Sequence, residues 1–151
     1  MSDPIRAASA PRPVGMYPHA RRVGNLLFLS GIGPRDAASN AILGNVHDAD
    51  GHLISYDIEA QCRAVFANVR AVLKASGARW QDLVDVTVYL TDMAHDFKAY
   101  NAVWAEYFPD IDRAPCRTTV GITALPTPIA IELKCIAVLQ DTHRENRSSR
   151  A

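Results

Sequence analysis

From Asp57 to Ser76 the apolar residues Ile58, Cys62, Val65, Phe66, Val69, Val72 and Leu73 recur at steps of three and four, which lines them along one face of an α-helix. Acidic Asp57 and Glu59 at the start and Gly77 just past the end are the matching boundary signals. A second helix is marked by Phe97, Tyr100, Trp104 and Tyr107 or Phe108 on a shared face, with Pro109 just beyond. Shorter stretches have strand character. Asn25 to Gly31 is an apolar run closed by glycine, and a weaker strand over about 16–22 precedes it across a hairpin-like Gly24-Asn25 turn. Leu83 to Leu90 is rich in β-branched and aromatic residues. Arg117 to Ala124 and Ile129 to Leu139 read as two further strands, and the prolines of Leu125-Pro126-Thr127-Pro128 between them belong to a connection, since proline cannot donate to a ladder. The order β-β-(β)-α-β-α-β-β predicts an α+β fold with two helices on one face of a mixed sheet. In so short a chain the other face needs cover, most easily from a neighbouring subunit.

At 151 residues the chain suits one domain able to bury its own core without a disulfide framework or a cofactor. No linker or solenoid repeat interrupts 14–140, so that span reads as a single domain. It is flanked by expected mobile tails, 1–13 with Pro4, Pro11 and Pro13, and 141–151 with Arg144, Arg147 and Arg150. Sixteen Lys plus Arg balance sixteen Asp plus Glu, so no overall field draws in nucleic acid or an anionic membrane, and a charged ligand must be held locally. Cys62, Cys116 and Cys135 lack zinc-ligand spacing and are expected as buried thiols in a reducing compartment. With no apolar leader at the N-terminus and no long apolar run, a soluble cytoplasmic protein is expected.

No phosphate-cradling glycine loop, nucleophile elbow, H-E-x-x-H or paired-carboxylate cluster occurs, which leaves metal and covalent catalysis poorly supported. What stands out is charge inside apolar strands, where it is expensive unless paired or used. Glu132 lies in Ile129-Ala130-Ile131-Glu132-Leu133-Lys134-Cys135-Ile136. It is either a general acid or base with a raised pKa or half of a ladder ion pair with Lys134, two residues on. Arg117 opens a strand of Thr118, Thr119, Val120 and Gly121, and its planar fork suits either a ligand carboxylate or a structural salt bridge. Ser30 ends a strand at a sheet edge. Tyr17-Pro18-His19-Ala20-Arg21-Arg22 gathers an aromatic, an imidazole and two guanidiniums, either lining a site or forming a solvated edge. His47, His52, His95 and His143 sit in polar or terminal contexts and read as surface residues.

Taken together, Gly15-Met16-Tyr17, Leu29-Ser30-Gly31, Asn101, Cys116-Arg117-Thr118-Thr119-Val120, Leu125-Pro126 and Ile131-Glu132-Leu133 resemble the RidA/YjgF family of small trimeric enamine/imine deaminases, over nearly everything from Gly15 to Val138. The resemblance implies a chorismate-mutase-like single domain with a mixed six-stranded sheet, a homotrimer with sites at subunit interfaces, and no metal or organic cofactor. By the same match Arg117 grips the substrate carboxylate, Glu132 positions and activates the attacking water, and Tyr17, Ser30 and Asn101 line the pocket. The family also uses a main-chain carbonyl two residues after the arginine, here that of Thr119, where many members carry cysteine. The stretch Tyr17 to Gly24 with Arg35 downstream is similar to the 2-aminomuconate deaminase branch, which acts in the degradation of aromatic compounds and forms a 2-oxo acid, 4-oxalocrotonate. A dicarboxylate needs a second anchor, which His19, Arg21, Arg22 or Arg35 could supply. A general 2-imino acid deaminase that clears 2-aminoacrylate and a non-enzymatic small-carboxylate-binding trimer are the alternatives left standing.

Overall fold

The computed structural model describes residues 2–140. A six-stranded sheet runs in the order β1-β2-β3-β8-β6-β7, built from β1 (Ser2–Ile5), β2 (Ala20–Val23), β3 (Leu26–Leu29), β6 (Leu83–Leu90), β7 (Cys116–Gly121) and β8 (Ile131–Val138). Only β6 and β7 pair in parallel; every other neighbour is antiparallel. A small separate hairpin, β4 (Val46–His47) with β5 (Leu53–Ser55), precedes the first helix.

The two helices, α1 (Ile58–Ala75) and α2 (Met93–Tyr107), form where the apolar periodicity places them. Each begins on an aspartate whose side chain accepts an otherwise unpaired N–H: Asp57 from Ala60, Asp92 from His95. Past α1 the chain turns through Gly77 at φ +74°, a left-handed conformation glycine adopts without penalty. Cys62, Val65, Phe66, Val69, Val72 and Leu73 of α1 and Tyr100, Val103 and Trp104 of α2 are buried against Leu27, Leu29, Val86, Val88, Leu90, Leu133 and Cys135 of the sheet. Each such side chain contributes about 1.5–3 kcal/mol of transfer free energy. Phe97, expected on the buried stripe of the second helix, is instead 40 % exposed.

The opposite face of the sheet carries no helix. It presents Leu26, Phe28, Tyr89, Val120, Ile136 and Val138 together with Glu132 and Lys134, and Leu26 and Val120 are each 37 % exposed. This uncovered apolar surface is the one the element order called for.

Two expectations need correcting. Residues 2–5, read as part of a mobile tail, form the edge strand β1 and pair with β2 from Ser2↔Val23 to Ile5↔Ala20, while Ala7 and Ala10 are buried behind it. Pro4 is compatible with this because an edge strand leaves half of its N–H groups unused. Cys116, expected as a buried thiol, is exposed at the start of the outermost strand β7; Cys62 and Cys135 are buried, and burial pushes both thiols up to about 12. The expected tail at 141–151 lies outside the described residues.

Candidate active site

The candidate residues separate into two groups. The first stands on the outer edge of the sheet, where β7 meets α2. In the β6–β7 register Arg117 lies opposite the fully buried Val86, so its side chain leaves on the helix-bearing face. There its guanidinium carbon stands 4.9 Å from the ring centre of Trp104 and 5.3 Å from that of Tyr100, and one arm donates to Asn101 Oδ1 at 2.9 Å. Stacking on two rings holds the fork flat, and a neutral amide orients it without cancelling its charge. Among the described residues no carboxylate forms an ion pair with Arg117.

Thr119 follows on the same strand and face, its hydroxyl 2.8 Å from the Tyr100 hydroxyl. The Ile122 N–H donates to the Leu90 carbonyl, so main-chain groups at 118, 120 and 122 face β6. By the alternation of a strand, those of Arg117, Thr119 and Gly121 then point out along the unpaired edge. The Thr119 carbonyl is thus directed outward along the free edge of β7.

The second group surrounds a narrow cleft of about 30 Å³, lined by Ala10, Pro11, Tyr17, His19, Ser30, Gly31 and Arg35 among others. The Ser30 hydroxyl donates to the Pro18 carbonyl at 2.6 Å, which leaves its oxygen lone pairs to accept from a ligand. A Cβ added at Gly31 would come within 2.7 Å of Glu132 Oε2, so the acid group lies directly against this wall. Glu132 is half-buried, and burial raises its pKa above the ordinary 4.5. The ladder ion pair with Lys134 does not form: Lys134 Nζ donates to the Leu29 carbonyl instead. A half-buried acid without a cation beside it is suited to proton transfer.

Of two further expected pocket residues, His19 lines the cleft with both ring nitrogens bound to main chain, and Arg22 lies outside it. His19 is buried, with Nδ1 accepting the Ala7 N–H at 3.0 Å and Nε2 donating to the Pro11 carbonyl at 2.9 Å. Both ring nitrogens are committed to main chain, and what His19 does is hold residues 7–11 in place as a wall of the cleft. Arg22 is exposed on β2 and donates to the Gly24 carbonyl at 2.8 Å, away from the cleft. Three contributors were not assigned a site role from sequence: the platform of Tyr100 and Trp104, whose four-residue spacing around Asn101 was a usable signal, and the bare wall at Gly31, which entered only as part of the Leu29-Ser30-Gly31 motif.

The two groups lie on opposite faces. Glu132 pairs in register with Tyr89 on the open face, whereas Arg117 pairs with Val86 on the helix face, and β6 separates their strands. One chain therefore does not present the acid and the cation to the same small molecule.

The family described as Endoribonuclease L-PSP matches residues 7–139. The chain belongs to the RidA/YjgF family. A RutC family protein of Pyrococcus horikoshii is 37% identical over 137 residues, covering 91% of this chain and 98% of the relative. A 2-iminobutanoate/2-iminopropanoate deaminase of Dermatophagoides farinae is 36% identical over 137 residues, covering 90% of this chain and 95% of the relative. The crystal structure of the YjgF gene product of E. coli superposes with a TM-score of 0.76 at 29% identity, covering 91% of this chain and 99% of that one. The RidA/YjgF assignment accounts for the single domain, the two helices and the mixed six-stranded sheet together. Among the described residues no helix is long and apolar enough to cross a membrane.

Proposed function

We propose that this chain is a hydrolytic imine/enamine deaminase of 2-imino acids, and within that class a deaminase of 2-aminomuconate, working as a homotrimer with its sites between subunits. The observation that carries the reading is the Arg117 guanidinium, stacked on Tyr100 and Trp104, held by Asn101, and left without a protein carboxylate among the described residues. Such a fork binds a planar carboxylate through two parallel hydrogen bonds. The names of the Dermatophagoides deaminase and of the similar chloroplastic Reactive Intermediate Deaminase A of Arabidopsis thaliana support the reaction class.

In the proposed reaction the enamine first tautomerises to the imine, with its carboxylate on Arg117 of one subunit. Water held by the Thr119 carbonyl and by Glu132 of a neighbouring subunit adds to the C=N carbon, giving a tetrahedral carbinolamine. Glu132 takes the water proton and returns it to nitrogen. The carbinolamine hydroxyl then gives its proton, by way of Glu132, to the amino nitrogen, the C–N bond breaks with its electron pair leaving on ammonia, and the oxygen becomes the carbonyl of the 2-oxo acid, 4-oxalocrotonate when 2-aminomuconate is the substrate. Most of the rate gain comes from holding water and imine at attacking distance, with proton transfer contributing the remainder. No residue of this sequence of steps calls for a metal or an organic cofactor.

The test is ammonia release from 2-aminomuconate and from 2-iminopropanoate by the full chain and by Arg117→Ala. Arg117→Ala is expected to lower kcat/KM roughly 10²- to 10⁴-fold, the value of two charge-assisted hydrogen bonds, without changing the oligomer's mass. Near-normal turnover by that variant would refute the assignment. A preference for 2-iminopropanoate would keep the deaminase class and remove 2-aminomuconate.

A further inference from the structure

Of the four cations that could meet a second carboxylate, the geometry leaves one. His19 has both ring nitrogens bound to main chain, Arg21 reaches Ser2 Oγ at 2.7 Å, and Arg22 turns back to Gly24. Neither Arg21 nor Arg22 lines the cleft, whereas Arg35 does, beside Ser30, Gly31 and Tyr17. We propose that Arg35 is the specificity-determining residue of this cleft: it binds a distal carboxylate, so the chain selects imino dicarboxylates over imino monocarboxylates. This rests on the deaminase reading above.

The side chain is prepared for that task from both ends. Asn68 of α1 donates to the main-chain carbonyls of Gly33 and Arg35, at 2.8 Å each, and fixes the backbone from which the arginine springs. At the far end one arm of the guanidinium donates to Asn40 Oδ1 at 3.1 Å and the other to the Arg12 carbonyl at 2.7 Å. Of five N–H donors three remain, and among the described residues no carboxylate pairs with them.

The intervening turn, 36–41, is shaped to present Asn40. Asp36 Oδ1 accepts from the N–H of Ala38, the N–H of Ser39 and the Ser39 hydroxyl. Asn40 sits at φ +61°, a left-handed conformation that asparagine tolerates better than most residues, and its N–H closes the turn onto the Asp36 carbonyl at 2.9 Å. The hydrogen bonds from Ser39 hold the Asp36 carboxyl below its ordinary range and keep its charge folded into its own turn. The nearest acid in sequence is thus occupied with loop geometry while the arginine beside it keeps its charge for a ligand. Fixing the fork in advance spares the rotamer entropy that a mobile arginine loses on binding.

Two arms test the proposal on the full chain, with Arg35→Met, Arg35→Lys and Asn40→Ala as variants. The kinetic arm compares kcat/KM for 2-aminomuconate and 2-iminopropanoate. The binding arm measures, by calorimetry, Kd for 2-oxohexanedioate and 2-oxobutanoate, which are stable analogues of dicarboxylate and monocarboxylate products. In Arg35→Met the dicarboxylate-to-monocarboxylate ratio is expected to fall roughly 10- to 100-fold in both arms. Arg35→Lys should restore part of it, and Asn40→Ala should lower it by less than Arg35→Met does. Equal losses on both ligands would assign Arg35 to holding the Arg12 segment alone and overturn the proposal, as would an unchanged ratio. If no imine releases ammonia, the deaminase reading fails separately. The binding arm then still decides: wild-type preference for the dicarboxylate, lost in Arg35→Met, upholds the subsite, and its absence removes it.

Discussion

The two faces of the sheet differ in what finishes them. The helix face is closed within the chain: α1 and α2 cover it, and Arg117 emerges only at its rim, flattened against rings that belong to the core. The open face is unfinished: Leu26 is exposed and Phe28, Ile136 and Val138 are only half-buried, on the same face as the half-buried acid. Rigid packing on one side holds a cation in place, and missing packing on the other leaves apolar side chains without cover. Under the proposed reading, a catalytic unit would be a contact between the rim of one chain and the uncovered face of the next, a way for a small domain to acquire a water-excluding site without enlarging its core.

That contrast can be broken most severely by a charge on the bare face. Phe28→Asp should convert the oligomer to monomers by light scattering, with the far-ultraviolet circular dichroism retained, and turnover should fall to background. A monomer that still turns over imine would mean that one chain suffices. A sharper version mixes subunits. Arg117→Ala and Glu132→Gln should each be inactive alone, yet refolding them together in equal amounts should restore roughly a quarter of wild-type activity, since about one interface in four then joins an intact cation to an intact acid. Failure to recover anything would place both groups in the same chain's site.

The smallest effect separates chemistry from stability at one position. Because the folded pKa of Glu132 is raised, its ionisation is penalised in the fold: the penalty is absent below the unfolded value near 4.5 and grows as pH rises through the raised value. The activity, which needs the ionised base, should increase over that same interval. Glu132→Gln should therefore lose about 10²- to 10⁴-fold in kcat while its Tm at pH 7 stays equal to or above that of the wild type. A lowered Tm would mean that the carboxylate is a structural partner.

Much of this was legible along the chain because it is periodic. The three- and four-residue spacing of α1 and the β-branched run of β6 specify their own elements, and Arg117 and Glu132 were conspicuous as charges in apolar strands. What was not legible depends on register. Whether Arg22 meets a cleft or solvent, or Arg117 and Glu132 share a face, turns on strand pairings between residues far apart in sequence, and a slip of one residue reverses each answer. The strand β1 was hidden by Pro4, which argues against a central strand and is acceptable on an edge. That both ring nitrogens of His19 are taken by main chain was not legible, because an imidazole between two main-chain groups has the same local sequence as one free to meet a ligand.

The bare wall at Gly31 sets a limit on how this site can drift. Even a methyl group there would claim the volume now occupied by an oxygen of Glu132, and the flexible acid, being easier to displace than a strand, would give way. Gly31→Ala is thus expected to spare the strand and shift the Glu132 carboxyl, so that under the proposed mechanism turnover falls while the fold persists.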